Sequence, residues 1–212
     1  MNKGEVWGFG GEKKDLYFPY YQLFCGNTDL KRGSAWLDGK PICISRGRGA
    51  MIRQGFGFVE EYHQGIFPKL SLLENLTLAS LPRMTNGLSI NYRLERVVAN
   101  DMAEELGIPL KELGKPIEKT GANTRFLITI YRWFLRNSKV LVFNHVLANS
   151  DIVMRDSMLQ VINRIHESDM GLIIFSSDKK ELYELCDHVI DITEGKDRNT
   201  YHFDMSVSAK TE

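Results

Sequence analysis

The second half of the chain alternates apolar runs with helical segments, and this alternation limits the possible folds more than any other feature. An apolar run at 140–144 is followed by a helical pattern over 152–165, a second run at 171–175, a helical pattern over 179–185 and a third run at 188–192. Strands separated by helices pair in parallel through right-handed crossovers. The sequence therefore predicts an α/β fold, with a mainly parallel sheet flanked by helices.

The first half adds strand and hairpin signals. Asp38-Gly39 separates the stretches 34–37 and 41–45, and glycine tolerates the positive φ that a two-residue hairpin turn requires. Apolar runs at 6–10 and 56–59 are two further strand candidates. We expect a small antiparallel part beside the parallel sheet.

Helical signals fill the middle of the chain. Ser71 and Glu74 have the spacing of a capping box ahead of the apolar run 76–81. The segment 93–106 is amphipathic, and 125–136 predicts a more apolar helix. The residues expected to form the buried face of the amphipathic segment are Val97, Val98, Met102 and Leu106.

Composition excludes several classes of protein. Lys and Arg number 27, as do Asp and Glu, and a chain that mainly binds nucleic acid needs a surplus of cations. Three cysteines without CxxC spacing favour a reducing compartment over a disulfide framework or a zinc site. The most apolar stretch, 126–135, is too short to cross a bilayer. We expect a single cytosolic domain over 1–196 that does not insert into the membrane, followed by a polar, partly ordered tail over 197–212.

The glycine-rich turn after the first strand is a candidate phosphate site. A dinucleotide fingerprint fails because its third glycine position is Lys13. A P-loop starting at Gly11 would need Gly, Lys and Ser or Thr five to seven residues later. Lys13 and Lys14 are flanked by acidic residues, so we favour a solvated turn over a phosphate site.

Asn144-His145 is the second candidate, because polar groups at the carboxyl ends of parallel strands often bind ligands. His145 has the chemistry of a general base, although a local structural hydrogen bond is the simpler interpretation. Ser176-Ser177-Asp178 follows a strand and predicts a helix N-cap. The aromatic residues near Pro19 predict a local core or, alternatively, a binding pocket; they are Tyr17, Phe18, Tyr20 and Tyr21.

A series of stretches then occurs in a recognisable order along almost the whole chain. They are Gly4-Glu5-Val6 with Gly8, Leu37-Asp38-Gly39-Lys40-Pro41, Gly57-Phe58-Val59, Gly65-Ile66-Phe67-Pro68 running on to Leu81, Arg132 to Asn137, Lys139-Val140-Leu141, Cys186-Asp187-His188-Val189 and Glu194-Gly195-Lys196. In this order they resemble the ATP-binding cassette of ABC transporters, in particular the C-terminal half of tandem sugar-importer ATP-binding proteins of the ribose, xylose and galactose type. The resemblance implies a P-loop NTPase-like fold with a helical arm over about 70–137.

The resemblance also assigns positions to the motifs of that family, and many of those positions hold other residue types here. The P-loop positions are Gly11, Leu16, Tyr17 and Phe18; the signature positions are Gly121, Ala122 and Asn123; the Walker B end is Asn144 and His145. The D-loop position is Asp151, the switch region is Ser176 and Ser177, and the permease-docking positions are Phe58, Val59, Phe67, Leu70 and Leu76.

The family binds Mg-ATP, and its Lys, Mg²⁺-binding hydroxyl and Walker B carboxylates are missing at these positions. The resemblance therefore implies a non-catalytic cassette that needs no nucleotide cofactor or metal. It would pair with an active second cassette, in the same polypeptide, and with a membrane permease on the cytoplasmic face of the plasma membrane. We expect the chain to be a fragment of such a tandem protein.

Two alternatives remain open. One is a non-standard ATPase that uses His145 as base and Lys13 or Lys14 as phosphate ligand. The other is an adaptor that binds another ligand in the altered cleft near Tyr17, Phe18 and Tyr20.

Overall fold

The computed structural model describes residues 1–60, 65–86, 89–145, 151–194 and 201–207. The strands are β1 (Val6–Gly10), β2 (Ala35–Leu37), β3 (Lys40–Ile42), β4 (Phe56–Val59), β5 (Thr85–Asn86), β6 (Ser89–Ile90), β7 (Val140–Asn144), β8 (Gly171–Ser176), β9 (His188–Glu194) and β10 (Tyr201–Val207). The α-helices are α1 (Lys14–Phe24), α2 (Arg48–Arg53), α3 (Leu72–Thr77), α4 (Tyr92–Glu105), α5 (Ala122–Leu135), α6 (Ile152–His166) and α7 (Lys179–Leu185). Short 3₁₀ segments lie at Leu78–Arg83, Leu110–Glu112 and Ile117–Lys119.

The main sheet has the spatial order β10-β9-β1-β8-β7-β4. Every neighbouring pair is parallel except β9 and β10, which are antiparallel. The prediction of a mainly parallel sheet flanked by helices is thus confirmed. Within the predicted tail, 201–207 form the edge strand β10, whereas 195–200 and 208–212 lie outside the described residues.

Side chains that alternate along the strands belong to two hydrophobic cores, one on each face of the sheet. Leu141 and Phe143 of β7 pack with α3 to α7 on one face, and Val140 and Val142 pack with α1 and α2 on the other. All five residues of β7 are buried, as expected for a central parallel strand covered on both faces.

The hairpin and the capping box form as predicted. Asp38 and Gly39 both have positive φ (50° and 71°), and Leu37 pairs with Lys40 across the turn. The Ser71 hydroxyl accepts from the Glu74 N–H while the Glu74 carboxylate accepts from the Ser71 N–H. The helix that follows is short, because α3 gives way after Thr77 to a 3₁₀ segment.

The prediction of which residues of α4 are buried is wrong in part. Met102 is buried, but Val97 is 51% exposed, and the buried positions include Ala99 and Ala103. The buried Glu95 accepts a 2.7 Å hydrogen bond from the Thr77 hydroxyl, which directs the small side chains of α4 toward α3. Apolar periodicity alone does not reveal such a polar anchor.

No helix among the described residues is long and apolar enough to cross a membrane.

Gly57 on β4 gives a test of the packing between the arm and the sheet. A Cβ at Gly57 would lie 2.7 Å from both Leu141 Cδ2 and Trp133 Cγ. We predict that Gly57→Ala lowers the free energy of unfolding by about 1–3 kcal/mol, because two core side chains must move. The measurement is urea denaturation followed by circular dichroism.

Gly114→Ala is the matched control, since an added Cβ there has no neighbour within 4 Å. Equal stability of the two variants would contradict the packing described here.

Candidate functional site at the carboxyl edge of the sheet

The carboxyl ends of three parallel strands meet at one edge of the sheet. Gly10 of β1 is paired with Ser176 of β8, and Asn144 of β7 is paired with Phe175. The His145 N–H donates a 2.9 Å hydrogen bond to the Phe175 carbonyl. The structure therefore brings together the P-loop, Walker B and switch positions predicted from the sequence.

The turn from β1 into α1 is tight. It contains Gly11, Glu12 and Lys13, and α1 begins at Lys14. A Cβ on Gly11 would lie 2.8 Å from the Ile192 carbonyl oxygen and 2.9 Å from Leu16 Cβ. Gly11 is thus required by close packing, with the Leu16 side chain lying directly against it.

The two lysines of this turn face solvent. Lys13, Lys14 and the acidic residues on either side of them, Glu12 and Asp15, are all exposed. The Lys14 ammonium lies 5.4 Å from the centroid of the Phe18 ring. The turn is therefore exposed to solvent, as predicted, and the choice between a solvated turn and a phosphate site stays a prediction.

Tyr17 belongs to the hydrophobic core. Its side chain is fully buried, its ring centroid lies 6.2 Å from that of Phe175, and it shares a cluster with Tyr21 and Met51. Phe18 stays half-buried on the outer side of α1, with its ring 5.9 Å from Tyr21. The local aromatic core predicted for this segment is confirmed for Tyr17 and Tyr21.

Asn144 and His145 each carry a buried polar atom with no hydrogen-bond partner in the described part of the chain. Asn144 is 7% exposed, and its Oδ1 has no hydrogen-bond partner among the described residues. The same holds for the buried Nδ1 of His145, whose backbone has a positive φ of 56°. The local hydrogen bond favoured for the His145 side chain is therefore not found within the described ranges.

Ser176 joins this edge to α7. Its hydroxyl donates a 2.6 Å hydrogen bond to Glu181 Oε2 and accepts a 3.1 Å hydrogen bond from the Asp178 N–H. Asp178 is the N-cap of α7 and accepts from the N–H groups of Lys180 and Glu181. The predicted N-cap after β8 is confirmed, and Ser177 lies half-buried between the strand and the cap.

One of the two lysines of α7 is paired with a carboxylate. Lys179 Nζ lies 2.6 Å from Asp191 Oδ2, and this hydrogen bond is the main reason that the pKa of Lys179 is raised. The exposed lysines near this edge are Lys13, Lys14 and Lys180, while Lys179 is paired. In the described part of the chain, no group of three or more His, Cys, Asp or Glu is arranged to hold a metal ion.

The signature and D-loop positions lie at helix N-termini. Gly121 is the N-cap of α5, and Ala122 and Asn123 form its first turn without a side-chain cap. Asn123 Oδ1 is buried and has no partner within the described ranges. Asp151 caps α6 by accepting a 2.8 Å hydrogen bond from the Met154 N–H.

Comparison with known proteins finds the same kind of domain. The chain is 22% identical over 202 residues to the xylose import ATP-binding protein XylG of Geobacillus kaustophilus, and 31% identical over 200 residues to the ribose import ATP-binding protein RbsA 1 of Rubrobacter xylanophilus. Each match covers 92% of this chain but only 39% and 40% of the relative. The structure of cbiO1 from Clostridium perfringens, part of the ABC transporter complex cbiONQ, superposes with a TM-score of 0.72 at 19% identity, over 90% of this chain and 74% of that one.

The chain is an ABC cassette domain of the sugar-importer type. It spans about two fifths of the length of the import proteins it matches. No protein-family model matches it.

Three of the five docking positions predicted for this cassette are inside the core. Phe58, Val59 and Leu76 are 8%, 2% and 0% exposed, so their side chains are not available to a partner. Phe67 is 50% exposed and Leu70 is half-buried. The docking prediction therefore retains only Phe67 and Leu70.

A buried asparagine fixes the segment that presents these two residues. Asn75 is fully buried; its Oδ1 accepts from the Phe67 N–H at 2.9 Å, and its Nδ2 donates to the carbonyls of Phe67, Leu70 and Ser71. The side chain thus pairs both backbone groups of Phe67 and shares its amide hydrogens with two carbonyls that also accept backbone N–H groups. The sequence contains this asparagine within the α3 pattern, where nothing marks it as buried.

Arg132 anchors the start of the same segment from α5. Its Nη1 donates to the Gly65 carbonyl at 2.5 Å and its Nε to the Ile128 carbonyl at 3.3 Å. Burial lowers its pKa to about 10, which still leaves the guanidinium charged at neutral pH.

Glu181 adjoins this edge through Ser176, and the sequence analysis did not single it out. It is buried, and burial is the main reason that its pKa is raised; the charge of Asp178 raises it further, while the hydrogen bond from Ser176 and the charges of His145 and Arg155 lower it. Its position three residues after the N-cap is typical of an ordinary capping glutamate, so spacing alone gave no signal.

We predict that Glu181 makes the cassette less stable as pH rises. Because its pKa is raised in the folded state, its contribution is fully present below the unfolded value, near pH 4.5, and is lost as pH rises through the higher folded value. In thermal unfolding measured from pH 4 to pH 9, the melting temperature of Glu181→Gln should fall less with rising pH than that of the wild type.

Glu184→Gln, on the exposed side of the same helix, is the control and should keep the wild-type profile. If both variants follow the wild-type curve, ionisation of Glu181 does not destabilise the folded state.

Proposed function

We propose that this cassette is a non-catalytic half of a sugar-importer motor, which supports an active cassette and a permease without hydrolysing ATP. The observation that carries the proposal is the burial of Tyr17. The family places a phosphate-binding Lys or Arg at this position, and here the position holds a neutral ring packed in the core. Phosphoryl transfer depends on neutralising the charge of the phosphates, and no cation is available from this residue.

The neighbouring positions support the same conclusion. Leu16 and Phe18 replace a glycine and the Mg²⁺-binding hydroxyl of the P-loop, and Leu16 packs against Gly11. Lys13 and Lys14 are exposed beside two carboxylates, so they do not substitute for the missing lysine.

The Walker B and signature positions add independent support. An amide and an imidazole stand at Asn144 and His145, where the family has the Mg²⁺-linked Asp and the water-polarising Glu. A neutral amide is a poor ligand for Mg²⁺ beside a carboxylate. At the signature, Gly121, Ala122 and Asn123 replace a serine and two glycines that would close over the ATP of a partner cassette.

The partners follow from the relatives. Those proteins are named as import ATP-binding proteins, which supports a permease on the cytoplasmic face of the membrane and a second, active cassette in a longer polypeptide. Phe67 and Leu70 are the exposed candidates for contact with the permease, and the segment they occupy is held rigid by Asn75 and Arg132.

One observation favours a second function. His145 bonds the Phe175 carbonyl at 2.9 Å, and the next residue, Ser176, donates to the buried Glu181, so a histidine and a buried acid share the edge where a non-standard ATPase would need a base. The solvated position of Lys13 and Lys14 counts against such an enzyme, because it leaves the phosphates without a cation. The adaptor alternative is weakened by the burial of Tyr17 in the core.

Titration with Mg-ATP tests the proposal. We predict no saturable heat up to roughly 1 mM ATP, which corresponds to a binding free energy weaker than about 4 kcal/mol, and no phosphate release above the buffer rate. Micromolar binding would overturn the inert part of the proposal. Turnover that His145→Ala abolishes would establish the non-standard ATPase instead.

Replacing Tyr17 with the family's lysine provides a second test. We predict that Tyr17→Lys lowers the free energy of unfolding by about 3–5 kcal/mol, because it removes a core ring and buries an ammonium group. Tyr17→Phe keeps the ring and should change the free energy of unfolding by no more than about 1 kcal/mol. A stable Tyr17→Lys protein that gains ATP binding would mean that Tyr17 occupies an intact phosphate cradle.

A further inference from the structure

Two adjoining hollows on the helical arm form one groove, which is lined by α3, α4 and the stretch 110–114. Their volumes are about 590 Å³ and 520 Å³, within the range that small-molecule ligands occupy. No motif or docking position predicted from the sequence is among the described residues that line them. The residues that line both hollows are Leu73, Tyr92, Glu95 and Arg96.

Glu95 is the buried charged residue of this groove. It is 5% exposed, and its Oε1 accepts the hydrogen bond from the Thr77 hydroxyl. No other hydrogen bond to this carboxylate comes from the described residues, and one donor leaves most of the acceptor capacity of a carboxylate unused. Asn100, further along α4, lines the larger hollow and is half-buried. The groove therefore offers a carboxylate and an amide to a ligand that carries hydroxyl groups.

The rim carries two arginines that have no acidic partner. Arg93 and Arg96 are both exposed and both line the smaller hollow. They lie three positions apart on α4, so they are neighbours on the helix surface and repel each other. Neither has an acidic residue three or four positions away on α4, and neither forms an ion pair in the part of the chain that the structure describes. An anion bound at the smaller hollow would relieve this repulsion.

The charges of the groove are separated along its length. Glu74 lines only the larger hollow, where its carboxylate accepts from the Ser71 N–H at 2.7 Å and from the Ser71 hydroxyl at 2.6 Å. Arg93 lines only the smaller hollow. A complementary ligand therefore has an anionic group at one end and hydrogen-bond donors at the other.

We propose that this groove binds a phosphorylated polyol, that is, a sugar phosphate or a compound of the same chemistry. The phosphate would lie between Arg93 and Arg96, because the forked N–H donors of a guanidinium match phosphate oxygens. The hydroxyl groups would donate to the Glu95 carboxylate and exchange hydrogen bonds with Asn100. The ring of Tyr92, which is 71% exposed, offers an apolar face for the C–H groups of the ligand.

A neutral amino acid is the competing ligand for the same groups. Its ammonium group would pair with Glu95 and its carboxylate with the arginines. Two unpaired guanidinium groups at one end favour a phosphate over a single carboxylate, because a phosphate carries more charge and more acceptor oxygens.

Isothermal titration calorimetry on the full chain tests the ligand class. The probes are the phosphate esters of ribose and glucose on the terminal hydroxyl, the two free sugars, inorganic phosphate and glutamine. We expect an ester to bind with a Kd below about 1 mM, and at least about tenfold tighter than the free sugar, inorganic phosphate or glutamine.

The phosphate end is tested by the double variant Arg93→Gln/Arg96→Gln. Ester binding should fall about tenfold or more, to the level of the free sugar. The matched control is Arg32→Gln/Arg53→Gln, which changes two exposed arginines outside the groove and should leave the ester affinity unchanged. An equal loss in the control would reduce the effect to overall charge and overturn the proposal.

The polyol end is tested by Glu95→Gln, which keeps an acceptor for Thr77 but replaces one carboxylate oxygen with an amide group. It should weaken ester binding about fivefold or more and leave the weak binding of inorganic phosphate unchanged. Asn100→Ala, at a half-buried position, should act in the same direction and serves as the second variant if circular dichroism shows that Glu95→Gln alters the fold.

Four results would overturn the proposal: no binding of either ester up to about 10 mM, inorganic phosphate binding as tightly as the esters, glutamine binding more tightly, or an ester affinity that the groove variants do not change. The groove shares no described residue with the carboxyl edge of the sheet. ATP binding, which would contradict the proposed function, therefore leaves this test unaffected.

Discussion

The packing of α1 against the parallel sheet is the constraint on which the rest of the carboxyl edge depends. Tyr17 and Tyr21 insert into the core beside Phe175, and this contact fixes where α1 starts and how tightly the turn at Gly11 closes. A phosphate-binding turn needs consecutive free N–H groups and a lysine directed toward them. Here the same stretch of chain stabilises the fold through apolar contacts. A residue at position 17 that packs in the core cannot also direct a charged group toward the turn.

Much of the architecture could be predicted from the sequence because local and global signals agree. β7 is an apolar run that is buried on both faces, the hairpin follows from Asp38-Gly39, and the capping box at Ser71 starts α3. The buried face of α4 could not be predicted, because a hydrogen bond between Thr77 and Glu95 sets the orientation of the helix.

The candidate site was predictable only in its location. Parallel topology places Gly10, Asn144 and Ser176 at one edge, and the sequence shows which residue types stand there. Whether a side chain is buried is a tertiary property: Phe58 and Leu76 have the apolar character of docking residues yet lie in the core. Glu181 has the spacing of a capping residue, and only its burial sets it apart.

The bond from Arg132 to Gly65 has a mechanical consequence. α5 is a single helix of 14 residues, about 20 Å long. The signature positions lie at its N-terminus. Arg132, near its C-terminus, donates a hydrogen bond to Gly65, where the segment that contains Phe67 starts. One helix therefore links Gly65, at the start of the Phe67 segment, to the signature position Gly121, and this connection does not pass through the carboxyl edge of the sheet.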